Sequence, residues 1–269
     1  MPEGDTLWRT AAALRPRLVG KTVVNVEPSR LGRLKGRRVD AVDANGKHLL
    51  VRFDNDLVLH SHMRMTGSWH IYAPGQRWQK PARLASAVLA FDDVVAVLFS
   101  APVVELTRDA QEKVGHLGPD ILAEDFAAAD AVSLARRSDR VELGDALLDQ
   151  RVCAGIGNIY KCESMWIHRA NPWRLTVEIS DDELAEIYET ARRLMRQSIA
   201  GSRLGGRRAV HARAHRPCPR CATPIAVRAQ GALGRLTYYC QRCQGGPPGT
   251  RPSASSGAHK RAATKESHA

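Results

Sequence analysis

The sequence predicts an α+β fold in three parts: a β-rich N-terminal domain over residues 1–118, a helical domain over 119–209, and a small cysteine-rich module over 210–244. Three observations carry this reading. Short β-branched runs follow one another from residue 23 to residue 99 with no helices between them. Helical periodicity takes over after Gly118-Pro119, and four cysteines near the C-terminal end fall into two close pairs.

The first element is a helix starting near Asp5 or Thr6, either of which can cap it. Leu7, Ala11, Leu14 and Leu18 recur at helical spacing and give it one apolar face. Strands follow at 23–26 (VVNV), 39–42 (VDAV), 49–53 (LLVRF) and 57–63 (LVLHSHM), with others at 68–72, 86–91 and 94–99. Asn45-Gly46 and Asp92-Asp93 supply turns between neighbouring runs. Many short strands in succession imply an antiparallel sandwich or a barrel-like domain. Helices are expected near 123–136, 142–152 and 158–168, with the glycine-rich AGIGN at 154–158 turning between the last two. The segment 180–200 is the clearest helix. Ser180 and Glu183 form a capping box, and Leu184, Ile187, Tyr188, Ala191, Leu194 and Met195 make its apolar stripe. A β-hairpin is expected within 210–243. From Gly245 the chain is rich in Gly, Pro, Ser, Lys and Arg and reads as a disordered basic tail, 245–269.

Composition narrows the function classes. No apolar run approaches the roughly 18 residues of a membrane span, so no membrane partner is expected. The opening MPEGDTLWRT has neither the basic start nor the apolar stretch of a secretory signal, so a cytoplasmic setting is expected, and a monomer. Forty Lys and Arg against 28 Asp and Glu give a formal charge of +12. That charge is uneven: from Arg203 to Cys243 there are nine arginines and no acid, a field suited to phosphates and hence to a nucleic acid.

Cys218, Cys221, Cys240 and Cys243 have the spacing C-x2-C-x18-C-x2-C, which is zinc spacing rather than a disulfide framework. Four thiolates fill a tetrahedral shell and leave no position for water, so one Zn2+ here is structural and its binding energy folds the hairpin. A redox dithiol would use one such pair, not two. Arg235, at the hairpin tip, is available to hold a phosphate. Cys153 and Cys162 stand apart and read as small buried hydrophobes.

Pro2 and Glu3 alone are an ordinary chain start, but the pair has chemical potential. Removal of Met1 exposes a secondary amine that titrates near ~8, against ~10.4 for lysine, and so is more nucleophilic at neutral pH. Condensed with a sugar C1′, such an amine gives an iminium with no N–H proton to lose. The persistent cation acidifies the C2′ hydrogen and drives β-elimination. Glu3 can shuttle protons to the sugar ring or the leaving base.

PEGDT at 2–6, GKHL at 46–49, HMRMTG at 62–67, LGPDIL at 117–122, LLDQRVCAGIGNIY at 147–160 and the terminal CPRC…GRLTYYCQRC span residues 2–243 in order. Together they closely resemble the formamidopyrimidine-DNA glycosylase/endonuclease VIII (Fpg/Nei) family. The resemblance implies an N-terminal antiparallel β-sandwich with a flanking helix, a C-terminal domain with a helix–two-turn–helix, and a β-hairpin zinc finger. It implies a bifunctional DNA glycosylase and abasic-site lyase acting on damaged DNA. By the same resemblance Pro2 is the nucleophile, Glu3 the general acid/base, and Lys47 the lysine that contacts the substrate phosphate and assists elimination. Asn158 matches the phosphate-binding asparagine, a role compatible with an ordinary N-cap. Arg235 matches the finger arginine beside the damaged nucleotide. A base must leave the stack before C1′ can be attacked, and Met65 matches the wedge that fills the gap, flanked by Arg64 and Thr66. His62 reads as a phosphate neighbour and His60 as structural.

PEGDT and FSAPVVELT at 99–107 look more like endonuclease VIII, which implies oxidised pyrimidines as substrates. The purine-specific branch has an arginine and an aromatic wedge where Ala101, Pro102 and Val103 stand here. Ala212 and Ala214-His215 replace glycines that many relatives carry before the finger. Two other readings use part of this pattern: an Fpg-type oxidised-purine glycosylase, and a non-catalytic zinc-dependent DNA-binding protein. The latter has no use for an intact Pro2, Glu3 and Lys47.

Overall fold

The computed structural model describes residues 2–137, 141–201, 208–232 and 234–249. Met1, Arg203, Arg207 and the tail from residue 250 lie outside them. Helix α1 (Gly4–Leu18) buries Leu7, Ala11, Leu14 and Leu18, as their spacing requires. It starts earlier than expected, and neither Asp5 nor Thr6 caps it. Both acids near its start are committed elsewhere. Asp5 accepts from Arg9 at 3.1 Å and from Ser198 at 2.8 Å, and Glu3, at the N-cap position, accepts from the backbone of Ile159 at 2.8 Å.

The strands are β1 (Asn25–Glu27), β2 (Val39–Asn45), β3 (His48–Phe53), β4 (Val58–His62), β5 (Ser68–Tyr72), β6 (Ala85–Ala90), β7 (Val95–Phe99) and β8 (Val103–Thr107). They form two four-stranded sheets ordered β1-β6-β7-β5 and β2-β3-β4-β8, every pair antiparallel. Period-two alternation sorts their side chains. Leu49, Val51, Phe53 and Leu59 share one core with Leu89, Ala96, Leu98 and the apolar face of α1. On the opposite face, Leu50 and Val58 are covered by Val114 of α2 (Ala110–Val114). Neither β8 nor α2 is among the elements expected from the sequence. β8 is an edge strand with only Val104 buried, so it lacks the alternation that marks a strand.

A second core, from Ile121 to Met195, is built on α3 (Ala128–Ala135), α4 (Leu143–Ala146), α5 (Asn158–Ile167) and α6 (Asp181–Ile199). α3 is shorter than 123–136 because Arg192 takes the carbonyls of Ala123, Glu124 and Phe126. The helix expected at 142–152 stops at Ala146. Beyond it Asp149 accepts from the Arg151 backbone, and Gln150 bonds Leu148, Gly155 and Ile156, so side chains hold a turn instead. At α6 half of the capping box forms. Ser180 accepts from the Glu183 backbone at 3.2 Å, while the Glu183 carboxylate is drawn to Arg174 at 3.2 Å.

The four clustered cysteines, Val210, Ile225 and Cys162 form a third, small core. The hairpin pairs β9 (Ala226–Gln230) with β10 (Arg235–Tyr239) and ends in α7 (Gln241–Gln244). Of the tail expected from Gly245, residues 250–269 lie outside the described residues, and Gly246 accepts from Asn171 at 3.0 Å. Among the described residues no helix is long and apolar enough to cross a membrane.

Candidate active site

The turn between α4 and α5 receives two other parts of the chain. The Gly4 amide donates to the Gly155 carbonyl at 3.0 Å, and Lys47, in the β2–β3 turn, donates its ammonium to the Ile156 carbonyl. Gly46 has φ +56° and lies so close that a Cβ there would stand 2.9 Å from the Ala154 Cβ. Its amide donates to Asp120 at 2.7 Å. The N-terminus, the β2–β3 turn and the start of α5 therefore converge.

Glu3 lies at this convergence, only 1% exposed. Its Oε1 accepts from Ile159, and its Oε2 is buried with no partner among the described residues. Burial lifts its pKa to about 7, against the pull of the Ile159 N–H and the Lys47 charge. Lys47 is perturbed in the complementary sense: burial lowers it to about 8, Glu3 holds it up and Arg235 pushes it down. A carboxyl and an amine that both titrate near neutrality suit proton transfer at physiological pH. Pro2, half-buried, immediately precedes Glu3.

Asn158 is the first residue of α5, with Gly157 at the N-cap position, so it is not the ordinary cap its sequence context allows. Its Nδ2 instead donates to the Leu236 carbonyl at 2.7 Å, and its Oδ1 is buried without a partner among the described residues. One turn further along α5, the fully buried Lys161 donates to Thr237 at 2.7 Å. Helix α5 thus grips β10 just beyond Arg235. The Arg235 side chain is exposed, and its charge reaches both Lys47 and Lys161.

From Lys47 the surface continues along β3 and β4. His48 Nδ1 lies 2.8 Å from His60 Nε2, and the His48 ring meets His62 edge-on at 4.9 Å. Burial, then neighbouring positive charge and histidines, lower His48 to about 3 and His62 to about 4. His60 is buried 3.6 Å from Glu105, in keeping with a structural part. Past His62 the chain turns sharply. Arg64 has φ +48° and its amide donates to His62 Nδ1 at 3.1 Å, Gly67 closes the turn onto Met63, and Thr66 donates to the Ser100 carbonyl at 3.0 Å. Met65 at the tip is 65% exposed.

The donor atoms of Cys218, Cys221, Cys240 and Cys243 all lie within 4.8 Å of one another. Cys221 is 3.4 Å from both Cys240 and Cys243. A tetrahedral zinc shell with bonds of about 2.3 Å has S···S edges of about 3.8 Å, so these sulfurs fit one with small shifts.

Sequence reasoning missed several residues that hold this site. The Glu163 carboxylate accepts from the amides of Ala209, Val210 and His211 at 2.9, 3.0 and 2.9 Å, fixing the approach to the cysteines. Gln150 and Asp120 brace the turns beneath Lys47. Both stand inside the LLDQ and LGPD motifs, which was the available signal; Glu163 and Lys161 gave none.

Residues 1–102 match the formamidopyrimidine-DNA glycosylase N-terminal domain, and residues 117–207 match the formamidopyrimidine-DNA glycosylase H2TH domain. The chain is 40% identical to a probable endonuclease 8 2 of Streptomyces coelicolor, over 97% of this chain and 100% of the relative. It is 37% identical to a DNA-(apurinic or apyrimidinic site) lyase Nei2 of Mycolicibacterium smegmatis, over 91% and 99%. A crystal structure of MutM (Fpg) from Thermus thermophilus superposes with a TM-score of 0.77 at 28% identity, covering 92% of this chain and 100% of the other. Lactococcus lactis Fpg, bound non-covalently to DNA containing an AP site, gives 0.77 at 21% identity over 90% and 99%, a likeness of fold. Fold and site together define a DNA-repair enzyme of the glycosylase/AP lyase class. The chain belongs to the formamidopyrimidine-DNA glycosylase/endonuclease VIII family. Within it, identity to the relatives named endonuclease 8 or Nei2, at 35–40%, exceeds that to relatives named formamidopyrimidine-DNA glycosylase, at 30–31%.

Proposed function

We propose that this chain excises oxidised bases, pyrimidines above all, through an iminium on Pro2, and nicks the strand by β,δ-elimination. The observation that carries the proposal is the buried Glu3 carboxyl, poised near pH 7 between Pro2 and the start of α5, with Lys47 beside it. With Met1 removed, the Pro2 amine attacks C1′ as the bond to the base breaks. Protonated Glu3 delivers a proton to the sugar ring or the departing base. The iminium acidifies C2′–H, whose loss expels the 3′-side phosphate; a second elimination, assisted by Lys47, expels the 5′-side phosphate.

Damaged DNA is held, in this reading, by phosphate contacts from Asn158, Arg235, His62 and Arg64. Support comes from the exposed guanidiniums of Arg64 and Arg235. Met65, beside Thr66, fills the gap left by the extruded base. We read the two sheets as a sandwich flanked by α1, and α4, its turn and α5 as the helix–two-turn–helix. The division is 1–118, 119–209 and 210–244, acting as a cytoplasmic monomer. Cys218, Cys221, Cys240 and Cys243 hold one structural Zn2+, whose binding keeps the hairpin folded and Arg235 in place. The pyrimidine preference rests on Ala101, Pro102 and Val103, which offer neither an arginine nor an aromatic ring to an orphaned partner base.

The test is a side-by-side rate on 5-hydroxyuracil or thymine glycol and on 8-oxoguanine opposite cytosine, with analysis of the ends. Faster pyrimidine removal leaving phosphate at both ends is expected. A clear excess for 8-oxoguanine would overturn the substrate class, and a final 3′-unsaturated aldehyde would overturn the second elimination.

A further inference from the structure

We infer that Leu84, with Arg83 beside it, is a second group that enters the DNA stack at the lesion, alongside Met65 and from the partner-strand side. The inference rests on the proposed reading of Met65 as the wedge.

Strand register brings three connections to one end of the sheets. Ser68 of β5 and Ala85 of β6 both pair with Phe99 of β7, so the segments 63–67, 82–84 and 100–102 emerge together. Ser100 ties them. Its amide donates to the Leu84 carbonyl at 2.8 Å, its carbonyl accepts from Thr66 at 3.0 Å, and Ala101 beyond it donates to Ser86 at 3.0 Å. Ser100 does this at φ +50°, a left-handed conformation that a residue with a Cβ adopts only at a cost. Lys80 adds a further tie, donating to Ser68 at 2.7 Å. The loop carrying Met65 and the short 3-10 turn Ala82–Leu84 are therefore held as one unit.

That unit presents two apolar side chains to solvent, Met65 at 65% and Leu84 at 39% exposure. An isolated exposed leucine is ordinary. Here it is braced to the wedge loop, and it is flanked by charge. The guanidiniums of Arg64 and Arg83 make no hydrogen bond or ion pair with any described residue. Apolar tips between unpaired cations complement a base stack between phosphates. The 101–103 connection, next to them, has nothing to offer the orphaned base: Ala101 is buried, and Pro102 and Val103 are neither cationic nor aromatic. The occupant of this surface is accordingly the partner strand opposite the extruded nucleotide.

The experiment compares wild type, Leu84→Ala, Met65→Ala and the double variant in single-turnover excision, with the lesion in a paired duplex and in a single strand. Leu84→Ala is expected to slow excision from the duplex about tenfold, as loss of one wedging contact should, and to leave the single-strand rate unchanged. A 2-aminopurine opposite the lesion should brighten on binding wild type and less with Leu84→Ala. Wild-type duplex rates in Leu84→Ala, or an equal loss on single strands, would overturn the inference. If Met65→Ala is silent, the wedge reading itself fails; if Met65→Ala is impaired and Leu84→Ala is not, only the role of Leu84 fails.

Discussion

Replacing Gly157 with alanine asks whether the seat of Glu3, rather than its mere presence, sets the rate of base excision. The backbone of Gly157, at φ −121° and ψ −168°, is open to any residue, so the whole cost falls on the contact its new side chain makes. A Cβ there would stand 2.2 Å from the Glu3 Cδ, 2.4 Å from Cγ and 2.5 Å from Oε1. No such contact survives, and Glu3 must leave its place and surrender the 2.8 Å bond from Ile159. A hydrogen bond to a charged group contributes about 1.5–3 kcal/mol, and a displacement of about 1 Å at a reacting group costs about 10²-fold in rate. Single-turnover excision should therefore fall about 10²-fold. Cleavage of a pre-formed abasic site, which needs the Pro2 amine but no departing base, should fall less. Gly32→Ala, where nothing lies within 4 Å of the added carbon, is the control for substitution as such. Excision at the wild-type rate in a folded Gly157→Ala protein would refute the role given to the Glu3 seat.

The other expectations follow from charge and metal. The raised pKa of Glu3 means its burial costs nothing below about 4.5, where both folded and unfolded chains hold the proton; stability is lost as pH rises from about 4.5 to about 7 and levels off above it. The interval from 4.5 to about 7 corresponds to about 3 kcal/mol at full effect, so Glu3→Gln should raise the Tm at pH 8, not at pH 4, while abolishing excision and keeping DNA binding. An unchanged Tm at pH 8 would contradict that burial penalty. In wild type, kcat/KM for excision should decline above about pH 7 as Glu3 loses its proton. Arg235→Ala should keep zinc and fold but weaken DNA binding and reduce the salt slope by about one phosphate contact. Cys240→Ser should lose both metal and binding, by metal analysis and titration; an active protein without zinc would end that assignment.

Much of this arrangement was legible in the sequence because it rests on short-range pattern. The period-two runs placed β3, β4 and β7, the stripe from Leu184 to Met195 placed α6, and the cysteine spacing placed the hairpin. β8 escaped because it lacks alternation, and several misplaced caps share another cause, side chains drawn away by distant partners. Asp5 does not cap α1 because it lies inside the helix and Arg9 and Ser198 hold it, and Glu183 leaves its capping box for Arg174. Pattern and resemblance named the candidate residues as a set of positions, yet nothing local revealed that Lys47 and the buried Glu3 meet on one turn. Nor could spacing show that Lys161 lies under the hairpin, since a lysine in a helix reads as exposed until a neighbour covers it.

The most direct test of the Pro2 chemistry is borohydride trapping during turnover on a damaged duplex, with the adduct mapped by peptide sequencing. Three amines are available near the site: Pro2 after loss of Met1, Lys47 held down to about 8, and the buried Lys161, also lowered. A covalent protein–DNA adduct at Pro2, absent from a Pro2→Gly chain that retains Met1, is the expected result. An adduct at Lys47 or Lys161, or trapping that persists in that variant, would contradict it.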